Sequence, residues 1–283
     1  MIRFLDAQQL HDDMTLAVAS LSNSVDTPRL KHRFLTLIHE LQGVALAVSE
    51  DEYLMEFRGT SILEFLKQKE VFGPADLNAN NFFDASRQAQ ISVQLAEADR
   101  LILNADANLH LLLNRLLATV AVFDIANKEI EGGSVSGCIG MVYLCPKEDW
   151  DTTFYAEMLV HEYVHNRLFL DDMVNGLFPD LSLLKHPDAQ VTSTIRRTKR
   201  EYDKSFHAAC VSCMLAYFYD RLGDQAKVEE FIFPVEQTLR ELDEVDRHLQ
   251  GRGLNVITDH ARTIRDSLYG FLRSRRSVHT LVK

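Results

Sequence analysis

The stretch Leu159–His165, LVHEYVH, sets His161 and His165 four residues apart with Glu162 between them. On a helix such residues share a face, with Cβ atoms about 5–6 Å apart, so both imidazoles can reach one ion. Glu162 then points to one side, where a carboxylate can handle a proton beside that ion. The chemistry this H-E-x-x-H spacing points to is metal-dependent. The plain alternative is a pair of core histidines bonded to backbone. The surroundings favour the metal, because the segment is strongly apolar and two histidines and a glutamate are costly to bury there without a purpose.

Two histidines leave a third ligand to find. Leu168 and Asp171 stand where a metzincin pattern needs Gly and His, which leaves Asp171 a poor candidate. Glu201 and Asp203 are carboxylate candidates. His207 is the better one, since it opens the apolar run SFHAACVSCMLAYF, which can pack beside the motif helix. Cys210 lies one turn beyond it. Cys210 and Cys213 form a CxxC with no second pair, and small buried cysteines are common in helix cores. Cys138 and Cys145 flank a predicted strand and read as structural. Upstream of His207, Arg196, Arg197, Lys199 and Arg200 form a basic cluster in a chain of net charge −11. It reads either as a solvated loop or as an anion clamp built on the arginine fork. Arg196 and Arg200 share a face if the segment is helical. GGSVSGCIG lacks the features of a phosphate loop, and no G-x-S-x-G elbow is present.

The elements that must position these groups are mostly helices. DAQQLHDDMTLAVASL has helical spacing after Asp6. TPRLKHRFLTLIHELQGVALAV reads as a helix with Thr27 as N-cap and Pro28 at its first position. TSILEFLKQKEVFG reads as a short helix closed by Gly73, and PADLNANNFFD as a polar loop. A long helical region from about Asp84 to Leu117 breaks near NADAN. ATVAVFDI and SGCIGMVYLCP read as two strands joined by a turn or hairpin loop. The motif helix follows, capped by Asp151 or Thr152. After an irregular stretch broken by Gly176, Pro179 and Pro187, a final helical block begins near Lys204, where Pro234 should kink or split one helix. The expected class is mainly α with a small β element, the metal site lying on a central helix packed against a later one. We expect a single domain over 1–283. Its softest boundary sets 1–74 apart as an N-terminal helical subdomain and 85–283 as the metal-site core.

Composition narrows the function. Hydrophobic residues make up 46% of 283, enough for a sizeable core. The acidic balance argues against nucleic-acid or anionic-membrane binding. No apolar run reaches the roughly 20 residues needed to span a bilayer. With no export signal at the N-terminus, four reduced cysteines and a cytoplasmic location are expected.

As an ordered set, GCIGMVYLCP, AEMLVHEYVHNRL and STIRRTKREYDKSFHAACVSCMLAYF resemble the HExxH-motif proteins of ribosomally synthesised and post-translationally modified peptide pathways. The resemblance covers roughly residues 135–220. It matches His161, Glu162 and His165 to the motif, Arg196 and Arg200 to two arginines, and His207 to a later histidine. It implies a non-haem Fe(II)/2-oxoglutarate-dependent oxygenase that uses O2 to hydroxylate a side chain of a precursor peptide. His161, His165 and His207 would hold iron, Arg196 or Arg200 would bind 2-oxoglutarate, and Glu162 would orient a ligand or water. The rival reading is a zinc hydrolase in which Glu162 is the general base.

Overall fold

The computed structural model describes residues 2–22 and 29–281. The expected cap and helix start at Thr27 and Pro28 lie outside the described residues. The chain is mainly helical with two small sheets, as expected. It divides into two compact units, Ala7–Leu170 and Met1–Asp6 with Asp171–Lys283.

In the first unit, α1 (Ala7–Ser22) buries Leu10, Met14, Ala17 and Val18 on one face and packs on α2 (Leu30–Gln42). The sequence predicts helix through VALAV. The helix instead ends at Gln42, because Gly43 turns left-handed at φ 74° and its N–H closes the last turn. After β1 (Leu54–Glu56), α3 (Thr60–Gln68) also stops before its expected glycine. Lys69 and Glu70 bond back to Phe65 and Lys67, and Gly73 instead donates to the Asp76 carboxylate at 2.8 Å. The break between α4 (Ala85–Ala105) and α5 (Ala107–Leu116) falls where NADAN places it. Asp106 ends one helix and caps the next by accepting from Asn108 and Leu109.

Strands β2 (Thr119–Val122), β3 (Gly132–Gly133) and β4 (Met141–Leu144) join β1 in the order β1-β2-β4-β3. β2 and β4 were expected as strands and are, with every residue buried. They are not joined as a hairpin. They run parallel, Val120 opposite Val142, and the antiparallel partner of β4 is β3, drawn from the presumed turn. Parallel pairing fits strands buried on both faces. Behind the sheet, Phe72, Phe123, Tyr143 and Cys138 belong to one apolar cluster. The motif helix α6 (Thr152–Asn175) starts at Asp151, whose carboxylate accepts the Phe154 N–H at 2.8 Å.

In the second unit, α7 (Leu181–Leu184) precedes a hairpin of β5 (Val191–Thr192) and β6 (Lys199–Arg200). Three long helices follow: α8 (Tyr202–Leu222), α9 (Gln225–Gln250) and α10 (Asp259–Leu281). Pro234 does not split α9. It is buried inside one continuous helix, and packing of α8 along α9 outweighs the single backbone bond that proline removes. Asp246 of α9 accepts from Arg262 and Arg265 of α10 at 2.9–3.0 Å. Among the described residues no helix is long and apolar enough to cross a membrane.

Candidate metal centre

Helix α6 is buried on nearly every side. Between Tyr155 and Leu170 only Glu157, His161, His165 and Phe169 are partly open. These four recur every fourth residue and so form one stripe along the helix. Both motif histidines therefore lie on the accessible line of an otherwise enclosed helix. Glu162 sits beside that line and is only 3% exposed.

The Nε2 atoms of His161 and His165 are 3.2 Å apart. Two nitrogens each about 2.1 Å from one ion, at a ligand–metal–ligand angle between 90° and 109°, lie about 3.0–3.4 Å apart. The pair already has the bite of a chelate, and its donor type suits zinc or iron. His165 also stacks on Phe169, with ring planes 24° apart. Burial, and then the neighbouring His165, push the His161 imidazole down to about 3. It is therefore neutral at physiological pH, the state that can donate a lone pair to a metal. Within neither unit do three His, Cys, Asp or Glu side chains of the described residues gather as a group that could hold an ion. The two histidines are a partial coordination set.

Glu162 Oε1 is 3.8 Å from His161 Nε2. Its Oε2 is buried with no hydrogen-bond partner among the described residues. Burial pushes this carboxyl up to about 7, against a hydrogen bond from Ser134 that favours the charged form. A carboxyl that titrates near neutrality can accept and release a proton under physiological conditions. Ser134 is itself held by Asn166, whose Nδ2 donates to its hydroxyl at 2.9 Å. The same Nδ2 donates to the Glu162 carbonyl at 2.9 Å, and Asn166 Oδ1 accepts the Gly140 N–H at 2.7 Å. A side chain at Gly140 would be strained: its φ is 89°, and a Cβ there would fall 2.5 Å from Leu35 Cδ2 unless that side chain shifted.

The remaining expected site residues belong to the second unit. His207 stands on α8 with its ring stacked on Phe178 at 30°, and burial pulls it down to about 4. Asp203, one turn earlier, is raised by burial, and its Oδ1 has no partner among the described residues. Glu201 is paired with Lys204. Asp171 is engaged by His260 at 2.5 Å and Asn175 at 2.8 Å, so it is committed to the fold of its own unit. Cys210 and Cys213 are fully buried thiols raised by burial, as structural cysteines are. Arg196 and Arg200 do not share a helical face. The segment is the β5–β6 hairpin, with Arg196 exposed in its loop and Arg200 half-buried at the end of β6. The run VTSTI resists helix through its β-branched residues. Glu241 fixes the hairpin by accepting from Thr192 N–H at 2.8 Å and Lys199 Nζ at 2.7 Å.

Sequence reasoning missed Ser134, Asn166 and the accessible Glu157. Asn166 directly follows His165 and had a legible signal, as a polar residue on an apolar helix. Ser134 had none, because it is brought in by a two-residue strand. Compared with known proteins, the chain matches no family model and no curated relative.

Proposed function

We propose that this chain is a metal-dependent enzyme that modifies a peptide, with the metal held at His161 and His165. The observation that carries the reading is the 3.2 Å separation of the two Nε2 atoms on the open stripe of a buried helix. Within that reading the specific assignment is an Fe(II)/2-oxoglutarate-dependent oxygenase, using O2 to hydroxylate a side chain of a ribosomally made precursor peptide. Its support is the resemblance carried by His161, Glu162, His165, Arg196, Arg200 and His207 as an ordered set. Bound iron would supply oxygen activation coupled to keto-acid oxidation. The chain's own residues would hold the ion, with Glu162 keeping a proton beside His161.

A second reading, a zinc hydrolase, is favoured by one observation: a buried carboxyl poised at about 7 and 3.8 Å from a ligand nitrogen. There Glu162 takes a proton from the attacking water and returns it to the leaving group. Metal analysis of anaerobically purified protein, followed by titration with 2-oxoglutarate, separates the two. Iron with a visible absorption band that grows with 2-oxoglutarate supports the oxygenase. Bound zinc and no such band supports the hydrolase, and no stoichiometric metal of either kind refutes both.

A further inference from the structure

Lys31 stands on the first turn of α2 and is only 4% exposed. Its Nζ donates to the Glu52 carbonyl at 2.8 Å, which uses one of its three donors. Among the described residues it has no ion pair. Lysine is almost never buried unless its charge is paired, and a cation on the first turn of a helix is further opposed by the helix dipole. Burial lowers this ammonium to about 8, against the raising effect of Glu50, Asp51 and Glu52. The chain thus buries a cation, at the unfavourable end of a helix, and supplies no counter-charge in contact with it.

Lys31 lines a cavity of about 230 Å³ within the first unit. Leu10 and Met14 form its buried apolar side, and His11 and Arg115 its exposed rim. Neither the His11 imidazole nor the Arg115 guanidinium has a polar partner among the described residues. Glu50 also lines the cavity, but its Oε1 accepts the His32 N–H at 3.1 Å, which commits it to the first turn of α2. The volume falls below the roughly 300 Å³ at which pockets for drug-sized molecules begin, so the cavity suits a compact molecule and not a peptide. We infer that it is a binding site for a small organic carboxylate, whose apolar body lies against Leu10 and Met14 and whose charge pairs with Lys31 and Arg115. The ligand supplies the counter-charge that Lys31 lacks, and Arg115 offers a carboxylate its two-pronged contact. The site shares no residue with the His161/His165 centre, so the inference stands apart from the metal reading.

The test titrates the full chain, carrying carbon-13 in its methionine methyl groups, with benzoate, with benzyl alcohol as its neutral isostere, and with inorganic phosphate. The Met14 methyl signal, identified by its loss in Met14→Leu, reads the cavity directly. Benzoate should shift it saturably, and benzyl alcohol should bind at least about 10-fold more weakly. Lys31→Met should weaken benzoate at least about 10-fold and Arg115→Gln about 3- to 10-fold. Without ligand, Lys31→Met should melt at or above the parent's temperature, because an apolar chain replaces an unpaired buried charge. Benzyl alcohol binding as tightly as benzoate would leave an apolar cavity and overturn the inference. Phosphate binding without benzoate binding would overturn the ligand class, and no saturable benzoate shift would overturn the site. If Lys31→Met fails to fold, the neutral isostere and the exposed Arg115 decide: parent-like benzoate affinity in Arg115→Gln overturns the pairing.

Discussion

The side chain of Asn166 accepts the backbone N–H of Gly140 at 2.7 Å, which ties the residue after His165 to the turn that enters β4. The sheet thereby sets the height of the motif helix, and through Ser134 it also sets the Glu162 carboxyl. Asn166→Ala strips partners from the Gly140 N–H and the Ser134 hydroxyl. Each buried group left unpaired costs about 1–3 kcal/mol. We expect metal-free protein to lose about 2–4 kcal/mol in urea unfolding, and metal affinity to fall about 10- to 100-fold. A loss below about 0.5 kcal/mol would mean that the helix is positioned by apolar packing alone.

His161→Ala and His165→Ala should each end stoichiometric metal binding while leaving the fold intact, since alanine favours helix and both sites are on the open stripe. Metal analysis after dialysis reads this directly. Full occupancy in the double variant would remove the site.

The buried Glu162 predicts a pH dependence of stability in the metal-free protein. Its folded-state pKa of about 7 is raised above that of the unfolded chain. Its contribution is therefore fully present below about 4.5 and is lost as pH rises towards 7, an effect of about 3 kcal/mol. Glu162→Gln does not titrate. The stability of the variant relative to the parent should rise with pH across this window and level off above it. A pH-independent difference in denaturant midpoints would show that the carboxyl is solvated.

The resemblance assigns His207 as a metal ligand. His207→Ala should then weaken metal affinity at least 100-fold, with the α8 helix content unchanged by circular dichroism. Unchanged affinity would pass the role to another group, with Asp203, one turn earlier on the same face, first in line.

Much of the helical frame was legible, because caps and periodicity are local. Asp84, Asp106 and Asp151 announce their helices by side-chain chemistry alone. The histidine pair was legible for the same reason, since four-residue spacing on a helix dictates a shared face. What escaped was non-local. Nothing in the glycines at 132 and 133 signals that they pair with Leu144 and Tyr143. Nor does the spacing of two apolar strands distinguish a hairpin from a parallel pair. The basic segment left a loop and a helical face both open, because arginines at 196 and 200 fit a helix by count, while the β-branched Thr192 and Thr194 favour the hairpin that forms.

That hairpin changes what to expect of the two arginines. A dianionic co-substrate away from bulk water needs its distal carboxylate paired, and a two-pronged arginine contact does this best. Arg196 lies exposed in the loop, where screening leaves a single charge little to contribute. Arg200 is half-buried at the end of β6, immediately before Glu201 and the start of α8. Under the oxygenase reading, Arg200 is therefore the better placed of the two to act as the clamp. Under the oxygenase reading, Arg200→Ala should raise the Kd for 2-oxoglutarate about 10- to 100-fold, or about 1.4–2.8 kcal/mol. Arg196→Ala should change it by less than about threefold, the size of an exposed ion pair. Arg200→Lys should recover only part of the loss, because lysine restores charge without the planar fork. Titration of iron-loaded protein under anaerobic conditions measures all three. A larger effect at Arg196 than at Arg200 would move the clamp to the loop. Parent-like affinity in both alanine variants would remove it from this hairpin altogether.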